Sequence, residues 1–435
     1  MKPLAKENQS SRDYSWQLLQ GGTLLLPLLP TWGAILIVLA AATTWRRNYR
    51  SIIQNSFNWG LALLSLWLII TCCFATYPQE AFLGLANFLP FFAVWIAFSL
   101  IITTQVRLRR LAWLLVLPSP IVICLGWGQI FAGWTTPVQL QVLLGWVLEA
   151  GGNPPGRMAA VFIYANILAA YLLITFTLVL GLWLDTYQRW QQKKQSVSKW
   201  CLPLLTIVLL SNGCALLLTS SRNAWGIALF ALIAFAVYCG WRWLLYLIGA
   251  TGASILWASF GSEPIRGWLR QLIPKSIWGR LNDDLYPDRP LATLRITQWK
   301  FTLNMTQEHS FMGSGLRNFT PLYEAKMGVW LGHPHNFYLM LMAETGIPGI
   351  VLLCGLIGWK LAQAVLQLHS WSSQNPSLGT VESQPLIFYT YLVTFGSMVV
   401  FNLFDVTLHD FRVNTLTWIV LSAICGVTTA AKTKN

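Results

Sequence analysis

The sequence predicts an all-α, polytopic membrane protein of about twelve spans, and three observations predict it: composition, run length and the placement of positive charge. Of 435 residues, 55% are hydrophobic and 10% are charged, against about 25% charged in a soluble domain. Apolar runs of membrane-crossing length fall near 57–75, 82–104, 109–132, 158–184, 200–219, 223–240, 241–260, 337–366, 384–404 and 412–430. Each approaches the roughly 20 residues needed to cross a hydrocarbon core about 30 Å thick. The stretch 15–45 is too long for one upright helix, and Pro27 and Pro30 interrupt its middle. It therefore reads as a tight hairpin of two spans.

Charge decides the orientation. Arg46, Arg47 and Arg50, then Arg107, Arg109 and Arg110, then Arg189, Lys193, Lys194 and Lys199, then Arg242, Lys360, Lys432 and Lys434 sit in short loops or beside span ends. The positive-inside rule makes these cytoplasmic. Lys2, Lys6 and Arg12 place the N-terminus on the same side, which requires an even number of spans and favours twelve over eleven. The first apolar run is too long for a removable signal peptide and lacks a small-residue cleavage site.

The net charge of +14 is explained by these dispersed loops, so no nucleic-acid partner is expected. Eight cysteines lie in or beside the spans without a paired C-x-x-C spacing, so neither a disulfide framework nor a zinc site is expected. Trp241, Trp243 and Tyr246 read as an interfacial aromatic belt.

The chain divides into N-terminal spans (1–260), a long external region (261–334) and C-terminal spans (335–435). The middle region holds nine basic and six acidic side chains, and loops longer than about 60 residues escape the positive-inside rule. Pro274–Trp278 and Leu291–Met305 have helical or amphipathic spacing, so this loop is expected to be ordered and functional.

Its end is the most informative stretch: His333 to Gly349, HPHNFYLMLMAETGIPG. Proline suits the first position of a helix, which makes His333 the expected cap and puts His335 in the first turn. Donors and dipole at that end favour an anion and a neutral imidazole. Two arginines outside the cytoplasmic loops accompany it. Arg222, in SSRNAW, lies on a very short connection and needs an anion or carbonyl partner, or must snorkel to water. Arg295 stands four residues before Trp299, and Gly313, Ser314, Gly315 and Phe319 follow in FMGSGLRNF. The glycines can form an anion nest, although a plain turn is the simpler role.

Taken in order over 220–349, SR-x-x-W, R-x-x-x-W, G-x-G-x-x-x-F and HN-x9-G-x-x-G resemble the O-antigen ligase superfamily, which includes related polymerases and protein O-glycosyltransferases. The resemblance implies a GT-C-like membrane fold and an undecaprenyl-diphosphate-linked glycan as donor. It also implies a lipid A core or glycan acceptor, no metal or other cofactor, and a site on the periplasmic side of a bacterial inner membrane. On this reading His335 is the base, or orients the acceptor hydroxyl, Arg222 and Arg295 clamp the diphosphate, and Asn336, Arg317, Gly313, Gly315 and Trp299 bind substrate. Guanidinium forks match phosphate oxygens, and a neutral imidazole suits removal of a hydroxyl proton. Membrane lipid surrounds the spans, whose lateral groove would take the polyprenyl tail. Glu344, nine residues after His335, is expected to be a structural partner, and Arg412 a secondary site residue.

A small-solute transporter is the alternative. Similar cyanobacterial-type proteins carry an inorganic-carbon transport label, and Asn402, Phe404, Asp405 and Arg412 resemble a segment of theirs. Inverted repeats and charged midplane residues, expected of such a carrier, are not visible in the sequence. A noncatalytic scaffold explains none of the four elements.

Overall fold

A computed structural model describes residues 3–191, 198–282, 290–373 and 385–432. The side chains of residues 3–13, Ser276, Arg280, Ser372, Ser373 and Lys432 are outside that description. The charges expected to matter at Lys2, Lys193, Lys194, Asp283, Asp284, Asp288, Arg289 and Lys434 lie outside the described residues, as do the side chains of Lys6 and Arg12.

Every regular element among the described residues is helical. Helices α1 (Pro3–Leu25) and α2 (Pro30–Gln54) pair as a hairpin whose break falls at Pro27–Pro30, as the sequence predicts. Pro30 opens α2, a position where its missing N–H costs nothing. The Trp146 indole N–H donates to the Leu28 carbonyl at 2.7 Å, which satisfies a turn acceptor.

Next come α3 (Ser56–Cys73), α4 (Pro78–Gly84), α5 (Leu89–Ile101), α6 (Gln105–Val116), α7 (Ser119–Phe131) and α8 (Val138–Leu144). Asn55 begins α3 by accepting the Phe57 N–H at 3.1 Å, and Thr104 begins α6 by accepting the Arg107 N–H at 3.2 Å. Both are the short polar caps that orphan N-terminal donors require. The rest of the chain forms α9 (Ala165–Gln191), α10 (Cys201–Leu218), α11 (Arg222–Cys239), α12 (Arg242–Phe260), α13 (Ile265–Leu272), α14 (Lys275–Leu281), α15 (Arg295–Glu308), α16 (Phe319–Met327), α17 (Phe337–Ser373), α18 (Pro385–Phe401) and α19 (Phe411–Lys432).

Nine stretches among the described residues are long and apolar enough to cross a membrane. The other three expected spans are α1, α2 and α18. Arg46 and Arg47 dilute the apolar run of α2, and α18 has only 17 residues. α9 is the hub: 89% of its apolar window is buried, against 11% for the peripheral α12. A helix apolar all round belongs inside such a bundle. The run expected at 158–184 starts late. Residues 158–162 are buried but not continuously helical, with Ala160 at φ +47 and Ile163 at φ +57, and the Gln129 carboxamide oxygen accepts the N–H groups of Ala159 and Ala160. Hydropathy reports burial there and not helicity.

The break inside α17 positions everything that follows. Gly346 has φ +72, and Pro348 has no N–H to offer the Glu344 carbonyl one turn back. The freed acceptors find donors from elsewhere. Ser314 N–H reaches the Ala343 carbonyl and Gly315 N–H the Glu344 carbonyl, each at 2.9 Å, while the Trp67 indole reaches the Thr345 carbonyl at 2.9 Å. The Ile347 N–H in turn donates to Ser310. A Cβ on Gly346 would lie 1.9 Å from the Phe311 carbonyl oxygen. Gly346→Ala should therefore destabilise the protein by about 2–4 kcal/mol, the sum of positive-φ strain and overpacking. A thermal melt in detergent checks this, and an unchanged melting temperature would contradict the role given to the break.

Candidate functional site

The chain approaches α17 differently from the sequence expectation. His333 is not its cap and His335 is not in its first turn, because the helix begins at Phe337. Asn336 is the cap: its Oδ1 accepts the Leu339 N–H at 3.0 Å and its carbonyl accepts the Met340 N–H. Asparagine competes better than histidine for that position. The Phe337 N–H is taken by the Asn402 carbonyl at 2.9 Å. With two of its orphan donors satisfied by protein, this helix end is not the open anion cradle that was expected.

His335 instead occupies the sharp turn before the helix, at φ +52. A β-substituted residue in this region is strained by about 1–3 kcal/mol and persists only where neighbours over-determine it. They do. The His335 N–H donates to His333 Nδ1 at 3.2 Å, the Trp299 indole holds the Pro334 carbonyl at 3.0 Å, and Asp405 Oδ1 lies 3.2 Å from His335 Nδ1. Ser220 and Arg317, in two of the other recognised elements, also have positive φ, at +52 and +60.

Asp405 ties the imidazole to the hub helix. Its Oδ2 accepts the Asn166 amide at 2.6 Å, and Asn166 Oδ1 accepts the Arg157 guanidinium at 2.6 Å. Arg157 also donates to the Thr219 carbonyl at 2.8 Å, directly before Ser220–Arg222. A buried line of hydrogen bonds thus runs from the SSR turn to His335. Burial pushes the Asp405 carboxyl up, but the His335 hydrogen bond, the neighbouring imidazoles and the Val406 N–H outweigh it and hold it at about 2. Asp405 is therefore an acceptor at neutral pH. Burial drives His333 down to about 3 against the upward pull of Asp405, with His335, His409 and Arg295 adding to the lowering. Burial, then Arg317, brings His409 to about 4.

His335, His333, His409, Arg317, Glu80, Glu324, Asn87, Tyr164 and Trp330 face one cavity of ≈ 780 Å³. Arg317 reaches it with its guanidinium 3.2 Å from Glu80. Arg295 and Arg222 are not in its wall. Arg295 heads α15 and its charge is felt at His333, whereas Arg222 heads α11 beside the Arg157-bound turn. Gly313 and Gly315 are turn residues at φ +72 and +101. Their loop is stitched to the end of the short helix that starts at the site, which is the plain-turn role. Glu344 accepts the Phe319 N–H at 3.3 Å and so caps α16; it is the expected structural partner. Arg412 is also structural, donating to the Val161 carbonyl at 2.8 Å with its guanidinium 4.0 Å over the Phe162 ring.

Sequence reasoning missed Asn166, Arg157, His409 and Glu80 altogether, and met Asp405 only in the transporter-like segment. One signal was available, since an acidic residue at the edge of an apolar span is a functional candidate by default. His333, His335 and Asp405 also bring two imidazole nitrogens and a carboxylate oxygen within 4.8 Å of one another, which could hold a metal ion. Both Asp405 oxygens are already hydrogen-bonded, and the 3.2 Å contact is that of a hydrogen bond. With no ion bound, the same contact orients the imidazole: Nδ1–H donates to Asp405 Oδ1, and Nε2 carries the lone pair.

A second, apolar cavity of ≈ 260 Å³ lies between α17, α18 and α19. Phe337, Thr407 and Leu408 line it, and they are chain neighbours of the residues lining the first. Asn402 and Asn414 also face it, but they bond internally to Thr407, Met398, Asn87 and Trp418. The remaining wall is mostly hydrocarbon and aromatic, with Cys354, Thr407 and Thr417 among it.

Residues 205–354 match the family model of the O-antigen ligases, about a third of the chain. The match runs from within α10 to within α17 and contains all four sequence elements, so it supports the resemblance to that superfamily. No curated protein matches the chain.

Proposed function

From the O-antigen ligase match over residues 205–354, we propose that the protein transfers a glycan from an undecaprenyl-diphosphate carrier to a hydroxyl of a lipid A core or glycan acceptor. The reaction takes place on the periplasmic side of a bacterial inner membrane, with both termini cytoplasmic. The observation that carries this reading is the His335–Asp405 pair, whose imidazole lines the polar cavity, while its chain neighbours Phe337 and Leu408 line an apolar one. A polar and an apolar cavity lined by neighbouring residues suit a substrate with a charged, sugar-bearing head and a hydrocarbon tail.

In the proposed step the acceptor oxygen attacks the anomeric carbon while its proton passes to His335 Nε2. The bond from that carbon to the diphosphate oxygen breaks, and the electron pair leaves with the diphosphate, whose charge Arg222 and Arg295 offset. Attack opposite the leaving group inverts the anomeric centre. The first isoprene units occupy the cavity beside Phe337, Phe395 and Trp418. Burying hydrocarbon there is worth about 25 cal/mol per Å².

Purified protein, a synthetic polyprenyl-diphosphate glycan and an acceptor test the reading. If the arginines act through their forks, the double variant Arg222→Lys, Arg295→Lys should lose at least about tenfold in turnover, since lysine supplies a point charge alone. Parental turnover at parental membrane levels would refute the clamp.

A further inference from the structure

The cavity beside His335 has a wall that the proposed step leaves unused. Trp330 is 67% exposed and Tyr164 38% exposed, although both line it. Asn87, Thr320 and Glu324 lie in the same wall. The chain delivers Trp330 there deliberately. Gly328, at φ +66, ends α16 and turns the strand of loop back, and Thr320 Oγ1 donates to the Gly332 carbonyl at 3.1 Å. A Cβ added at Gly332 would sit 3.5 Å from the tip of the indole.

An indole of the interfacial aromatic belt lies among lipid, but this one shares a cavity with Glu80, Glu324 and three histidines. Among the described residues no cation pairs with Glu324, whereas Glu80 is engaged by Arg317. Aromatic faces beside carboxylate and amide oxygens match a sugar ring, which offers a C–H face for stacking and hydroxyl donors around its edge. A peptide would instead seek an open strand edge or a deep apolar groove, and this wall has neither.

We propose that Trp330, Tyr164, Asn87, Thr320 and Glu324 form a carbohydrate subsite that presents the acceptor hydroxyl to His335, so that the acceptor is a sugar and not a protein side chain. The assignment rests on the glycosyl-transfer reading and gives its glycan acceptor a binding site. Trp330 supplies the platform and Glu324 accepts hydroxyl donors beside it.

Binding without donor or turnover tests it. Methyl glycosides of glucose, galactose, mannose and N-acetylglucosamine, and a serine- and threonine-containing peptide, are each titrated against the full-length protein in lipid nanodiscs by saturation-transfer difference NMR. At least one glycoside should be saturated on its C–H face. Its affinity should fall about tenfold in Trp330→Ala, equivalent to ~1.4 kcal/mol, recover in Trp330→Phe and weaken in Glu324→Gln. Absence of binding by all four glycosides, binding indifferent to Trp330→Ala, or saturation of the peptide alone would overturn the proposal. Trp330-dependent sugar binding by a protein that transfers nothing would leave the subsite standing and sink the reaction instead.

Discussion

His335→Ala is expected to abolish detectable glycan transfer while leaving binding of the lipid-linked donor nearly intact. A general base typically contributes 10²- to 10⁴-fold, and at about 1.36 kcal/mol per tenfold this amounts to roughly 3–5 kcal/mol of barrier. In the proposed step the donor is held by the arginines and the apolar cavity and not by His335, so its dissociation constant should change little. His333→Ala should fall between parent and His335→Ala. His333 accepts the His335 N–H and stacks near His409, so its loss loosens the base without deleting it. Single-turnover transfer with a synthetic donor measures both variants, and size-exclusion profiles confirm folding. A His335→Ala enzyme turning over at the parental rate would remove His335 as the base.

The membrane architecture was legible because burial in lipid demands long apolar runs, and the hairpin break at Pro27–Pro30 followed from proline chemistry alone. Failures came where a buried segment is not a regular helix. Residues 158–162 are as apolar as a span, yet the positive φ of Ala160 and the hydrogen bonds to the Gln129 carboxamide hold them in a buried segment that is not a regular α-helix. At the site, His335 and Asn336 were visible as a motif, but their backbone was misassigned. Pro334 signals a helix start, and nothing local announces that His335 adopts φ +52 first. The glycine spacing became intelligible only in three dimensions, since Gly346 is required by the approach of Phe311, 35 positions earlier in the chain. Asp405, Asn166 and Arg157 are separated by up to 248 residues and joined by hydrogen bonds. No periodicity encodes such a contact.

Asp405→Asn should cost about 10²- to 10⁴-fold in kcat, with little change in the KM of either substrate, because it alters which imidazole nitrogen carries the proton. The direction of the hydrogen-bond line is fixed from its far end. Arginine can only donate, so Arg157 must face Asn166 Oδ1, which turns the Asn166 NH2 toward Asp405 Oδ2. An asparagine at 405 that keeps its oxygen on that NH2 presents its own NH2 to His335, at the cost of leaving the Val406 N–H without its acceptor. His335 Nδ1 must then accept, so the proton sits on Nε2 and the lone pair needed for the acceptor hydroxyl is lost. The same logic makes an aspartate-to-asparagine change severe in the serine-protease triad, where geometry is kept and the tautomer is wrong. Removing the constraint supplies the control. In Asn166→Leu, Asp405→Asn the new carboxamide is free to turn its oxygen toward His335, so the double variant should regain part of the lost rate. Full activity in Asp405→Asn would show that the carboxylate does not orient the base, and a double variant slower than Asp405→Asn would show that the line acts through packing instead.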